Sequence, residues 1–233
     1  VWFRLEISRA AQWFTNATTL TGRMASEQSL SEIARERRLS TFSVLHFATH
    51  AVVDPISPQR SALVLSQADL PDPREAALSG EELVDGLVTA REIMQTWKLS
   101  ADLVVLSACE TALGRNVSGE GYIGFCHAFF QAGARSVIAS LWKVDDEATA
   151  ILMGAFYRHW LGNGERADGD PPSLREGGAK PAEGAREHPS VAASEALRRA
   201  RLELRDYRAP NGTRPFAHPC YWAGFVIFGD AES

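Results

Sequence analysis

The sequence predicts an α/β chain built on a mostly parallel sheet, and three observations carry that expectation. Short apolar runs rich in β-branched and aromatic residues recur along it: FSVLHFAT (Phe42–Thr49), DLVVLSA (Asp102–Ala108) and SVIASL (Ser136–Leu141). The runs are continuous rather than alternating, as in strands covered on both faces of a parallel sheet. Segments with helical spacing separate them, and strand alternating with helix places helices on both faces of that sheet.

Each element has its own local reason. Ser26–Arg38 reads as a helix, because Leu30, Ile33 and Ala34 fall at helical spacing and Ser26 is a suitable cap. Phe42–Thr49 is the first strand and Ala62–Ser66 a short second one. A Gly/Glu-rich segment then leads into a helix over Thr89–Trp97, and Asp102–Ala108 is the central strand. Gly121–Ala132 carries Ile123, Phe125, Ala128 and Phe129 on one apolar side, which predicts a helix. Ser136–Leu141 is another buried strand, and Asp145–Leu161 a helix whose acidic first turn suits the helix dipole.

From Gly162 to Pro189 the chain is rich in Gly, Pro, Glu, Arg and Ala with no apolar period, which predicts a flexible insertion. Val191–Asp206 then reads as a helix and Tyr221–Phe228 as a final aromatic strand. Strands flank the insertion on both sides, so residues 1–233 are expected to form one domain, excised from a longer protein because the first residue is Val.

Composition narrows the function classes. With 45% hydrophobic and 23% charged residues, the 233-residue chain can bury a sizeable core. A net charge of -5 lacks the basic footprint of duplex-binding proteins, so no nucleic-acid partner is expected. Cys109, Cys126 and Cys220 lie far apart with no CxxC pair, which argues against a disulfide framework and a cysteine-built zinc site. The expected compartment is a reducing one, the cytoplasm. No apolar run reaches the roughly 18–20 residues of a membrane helix.

The candidate chemistry lies at strand ends. Cys109 follows directly on Asp102–Ala108, and ligands of open α/β sheets bind outside the carboxyl ends of strands. A thiol needs a base or a positive neighbour to become a nucleophile near neutral pH. His50 ends the strand Phe42–Thr49 and lies at the same rim if the two strands are parallel and adjacent. Position alone leaves a structural role open for both. Asp145 and Asp146 also lie at a carboxyl rim, either as helix caps or as a binder of a cationic side chain. His46 within its strand, Cys126 among Phe and Ala, and Cys220 beside Pro219 read as structural. Gly114, Gly119, Gly121 and Gly124 fit no phosphate-loop pattern, so no nucleotide cofactor is expected.

Four ordered blocks, HFATHA (His46–Ala51), LVVLSACETALG (Leu103–Gly114), GEGYIGFCHAFFQAGARSVIASLWKVDDEAT (Gly119–Thr149) and HPCYWAGFVIFGD (His218–Asp230), together resemble the CHAT domain family. The resemblance implies a caspase-like α/β/α sandwich with a mostly parallel central sheet, and a cysteine endopeptidase with a His50–Cys109 dyad and no metal or cofactor. It further implies that the backbone N–H groups of Ala51 and Cys109 hold the oxyanion. Many relatives have Gly after the histidine, but a backbone donor survives that change. The VDD stretch is similar to the separase segment whose acidic residue meets an arginine before the scissile bond, which falls on Asp146, with Asp145 beside it. Such domains often stand behind tetratricopeptide repeats in bacteria, so a repeat region upstream and a protein substrate are the expected partners. The rival reading keeps the fold as a non-cleaving regulatory or scaffolding module. A third, a small-molecule hydrolase, lacks a third triad member.

Overall fold

A computed structural model describes residues 2–54, 56–72, 74, 78, 84–107, 109–110, 120–162 and 189–230. In chain order its elements are α1 (Trp2–Ala11), α2 (Glu27–Arg35), β1 (Val44–Phe47), β2 (His50–Val52), β3 (Ala62–Val64), β4 (Leu87–Thr89), α3 (Ala90–Thr96), β5 (Leu103–Leu106), β6 (Cys109–Glu110), α4 (Glu120–Ala132), β7 (Ser136–Ser140), α5 (Asp146–Leu161), α6 (Ala193–Asp206) and β8 (Phe225–Gly229). Contacts group them into two compact units. One joins the residues up to Thr19 to those from Val144 onward; the other is Leu20–Lys143. Of the expected insertion Gly162–Pro189, residues 163–188 lie outside the described residues.

In the Leu20–Lys143 unit, β1, β5 and β7 run parallel with β5 in the middle. Every residue of β5 and β7 is buried, as the continuous apolar runs predict. The first strand is shorter than expected and only half-buried, because among the described residues β1 ends this row and pairs with β5 alone. Helices cover it: Trp97, at the end of α3, lies against Phe47 of β1 and Phe129 of α4, with ring centroids 5.9 and 6.0 Å away. A capping box starts α3, in which Thr89 accepts from the Glu92 N–H (3.1 Å) and Glu92 accepts from the Thr89 N–H (2.6 Å). Ser26 caps α2 in the expected way by accepting from the Ser29 N–H.

A second sheet, in the order β4-β3-β2-β6, is absent from the sequence expectation. It mixes antiparallel pairs (β2 with β3, β3 with β4) with the parallel pair β2 and β6. Segments of two or three residues are too short to show a period, so pairing across the chain creates them rather than local propensity. The expected strand Asp102–Ala108 shortens to β5 in the first sheet, and β6 in the second sheet begins just beyond it, at Cys109.

The other unit is organised by α5, which packs between α1 and α6. Leu152, Met153, Phe156, Tyr157 and Trp160 of α5 are buried, as are Ala196, Leu197, Ala200 and Leu204 of α6. Phe156 stacks on Trp160, and Phe14 meets the Tyr157 ring edge-on at 5.5 Å. Burial, reinforced by the Glu6 carboxylate, pushes the Tyr157 phenol well above its ordinary pKa. Glu203 of α6 receives both Arg158 and His159 of α5. The first helix, α1, was not expected, since its apolar residues are interleaved with Arg, Glu and Ser. The last strand begins at Phe225 rather than Tyr221, because Pro219–Tyr221 forms a 3₁₀ turn instead. The chain is thus a mixed α/β fold with a mostly parallel sheet.

Candidate active site

The two sheets share one register along their parallel strands. Val44 pairs with Leu103 and Phe47 with Leu106, and the same sequence offset pairs His50 with Cys109 and Ala51 with Glu110. Between the two sets, the Ser107 N–H donates to the Phe47 carbonyl at 3.0 Å, which continues the ladder across the gap. The Thr49 hydroxyl donates to the Val64 carbonyl and tethers the chain where it leaves one sheet for the other. Backbone order therefore sets His50 and Cys109 side by side at the carboxyl ends of β1 and β5.

On β2 the side chains alternate: His50 is exposed, Ala51 is buried to 1% exposure, and Val52 faces solvent. His46 sits half-buried on β1 opposite Val105, away from this rim. Cys126 is buried on α4, and burial pushes its thiol up to about 12, so it is a packing residue as expected. Cys220 is exposed instead of packed, its N–H donating to His218 Nδ1 at 3.2 Å.

Asp145 and Asp146 belong to the other unit. Asp145 is the N-cap of α5 and accepts from the Ala148 N–H at 3.0 Å, so capping occupies this carboxylate. Asp146 is the first residue of the helix and half-buried.

The sequence reading did not foresee the loop that leaves β2. Asp54 Oδ1 accepts from the N–H groups of Ile56 (2.9 Å) and Ser57 (2.8 Å), and Arg60 pairs with Asp54 at 2.8 Å. Its signal was available, because an Asp-Pro step with Ser-Pro shortly after it is turn chemistry. Backbone donation, first from Ser57, holds the Asp54 carboxyl below the usual range. The 3₁₀ turn Pro58–Arg60 rests on α4, where a Cβ added at Gly124 would lie 2.6 Å from Pro58 Cβ.

Among the described residues, no group of three His, Cys, Asp or Glu side chains is arranged to hold a metal ion. No helix among them is long and apolar enough to cross a membrane.

Curated proteins resemble this chain over much of its length. Mouse tetratricopeptide repeat protein 28 is 30% identical over 166 residues, covering 71% of this chain and 5% of that protein. The human protein of the same name is 27% identical over 227 residues, covering 85% of this chain and 8% of its own length. The chain thus spans under a tenth of the curated relatives it matches. The profile of the CHAT domain matches residues 3–169, most of the chain. On that match, the chain belongs to the CHAT domain family.

Proposed function

We propose that the chain is a cysteine endopeptidase working through a His50–Cys109 dyad on a caspase-like α/β/α sandwich. The observation that carries the reading is the in-register pairing of His50 with Cys109 on adjacent parallel strands. Neighbouring strands lie about 4.8 Å apart, a backbone spacing from which a base and a thiol can meet. Cys109 attacks the scissile carbonyl, His50 protonates the leaving amine, and the N–H groups of Ala51 and Cys109 hold the oxyanion. The thioester then reacts with water. Asp146 selects a basic residue before the cut; Asp145 serves mainly as the helix cap. A tetratricopeptide-repeat region in the same protein, in keeping with the names of the curated relatives, presents substrate or controls access.

A panel of fluorogenic peptides, read with wild type, Cys109→Ala and His50→Ala, tests this. Cys109→Ala is expected to be silent, and His50→Ala to lose about 10²–10⁴-fold in kcat. Equal turnover by Cys109→Ala and wild type ends the reading. Asp146→Lys is expected to erase any preference for Arg or Lys; an unchanged preference assigns the pocket to other residues.

A further inference from the structure

We propose that Val52 and Ile56 form the seat for a large aliphatic side chain immediately after the scissile bond, on the leaving side of the substrate. The proposal rests on the His50–Cys109 reading and adds a substrate class to it.

The argument begins with the face that β2 presents. His50 and Val52 lie two residues apart and both point to solvent, while Ala51 between them points inward. They therefore share one face of the strand. Val52 is 43% exposed, and four residues on, Ile56 is 89% exposed. Two exposed aliphatic side chains that follow this histidine closely in the chain offer an apolar edge that gains by being covered.

The loop holds Ile56 outward by several bonds. Asp54 Oδ1 fixes the N–H groups of Ile56 and Ser57, and Arg60 closes on the same carboxylate. The Asp54 N–H donates to the hydroxyl of fully buried Ser61 at 3.1 Å. Pro58 then locks the turn onto Gly124 of α4. A loop fastened at both ends and in the middle does not collapse to hide Ile56.

Chemistry decides which part of a substrate meets this edge. In acylation the Cys109 sulfur bonds to the carbonyl carbon, and the C–N bond breaks. The proton on His50 passes to the departing nitrogen, which leaves as a free amine. Proton transfer requires that nitrogen to lie within about 2.6–3.2 Å of the imidazole. The residue carrying it consequently lies over β2, and an extended peptide advances about 3.3 Å per residue. Its side chain comes to Val52, with Ile56 closing the far side. The residue before the cut stays on the acyl half and never meets this surface.

This asymmetry supplies the test. Wild type, Val52→Ser, Ile56→Ser and Ile56→Glu are compared on peptides with Gly, Leu or Lys after the cut. The expected result is a wild-type kcat/KM about tenfold or more higher for Leu than for Gly, the range one or a few buried methylenes give. Both Ser variants lose that preference but keep the wild-type rate on the Gly peptide, whose leaving residue has no side chain to seat, and Ile56→Glu shifts preference toward Lys. A wild type indifferent to the leaving-side residue, or Ser variants that retain the preference, overturns the proposal. So does an equal loss on the Leu and Gly peptides, which marks a purely structural role. If wild type and Cys109→Ala are equally silent on every peptide, the peptidase reading itself has failed, a result distinct from all of these.

Discussion

Glu27 illustrates how much one buried carboxylate ties together. Its Oε2 accepts from the N–H groups of Asp85 (3.0 Å) and Gly86 (2.7 Å), joining the first turn of α2 to the segment before β4. Burial raises its pKa and the two N–H groups lower it, while Asp85 and Glu92 push it up again, so the net shift is upward from 4.5. The folded chain then holds this proton more tightly than the unfolded one. The stability this contributes is fully present below about 4.5 and falls as pH rises through the raised value. Glu27→Gln keeps an acceptor and loses the titration; its denaturation midpoint is expected to vary less with pH across that window than wild type. Glu27→Ala strands two N–H groups and is expected to cost about 1–3 kcal/mol in urea unfolding at pH 7. Thiol chemistry gives a second check at this scale. Native protein at pH 8 is expected to alkylate at Cys220 and not at Cys126, whose thiol titrates near 12, until denaturant is added. Rapid native labelling of Cys126 contradicts the packing described for α4.

At the scale of elements, strands of four or five fully buried residues were legible because their apolar runs are continuous, as in β5 and β7. Helix starts at Ser26 and Asp145 were legible from their caps. The short strands β2, β3, β4 and β6 were only partly legible: the expected strand Ala62–Ser66 is realised as β3, but the sheet joining all four was not foreseen. Three residues do not display an alternation, and partners distant in sequence decide their pairing. The contact of Gly124 with Pro58 is testable here. Gly124→Ala places a Cβ 2.6 Å from Pro58 Cβ, and the strain is expected to cost about 1–3 kcal/mol. Adding Pro58→Gly removes the clashing atom. The double variant is expected to melt closer to Pro58→Gly alone than the separate losses sum to, a non-additivity that reports direct contact. Strict additivity excludes it. Near the start of α6, Arg198 and Arg199 hold Glu195 at about 2; this exposed cluster's contribution is present above about 4.5 and fades as pH falls toward 2.

For the whole molecule, the sequence made His50 and Cys109 visible as residues at strand ends, but their adjacency depended on an assumption that β1 and β5 are neighbours. That pairing is long-range and leaves no local mark. The aspartates opening α5 were equally visible, yet the N-cap bond of Asp145 could not be told from a ligand role by residue type alone. The division of the chain sets His50 and Cys109 in one unit and Asp146 in the other. The reading under test therefore separates into two measurable parts. Peptide turnover is expected to depend on residues of the Leu20–Lys143 unit, and discrimination among residues before the cut on the first turn of α5.

The common register of β1 with β5 and of β2 with β6 has a consequence during synthesis. A protein is made from its N-terminus at about 5–20 residues per second. His50 thus leaves the ribosome seconds before Cys109, with the whole intervening hairpin region between them. No local encounter assembles the pair; a long loop must first close and β5 must dock beside β1. A nascent or truncated chain ending before Cys109 holds the histidine without its partner. The order of translation itself keeps the proposed nucleophile and its proton donor apart until the parallel sheet is in place.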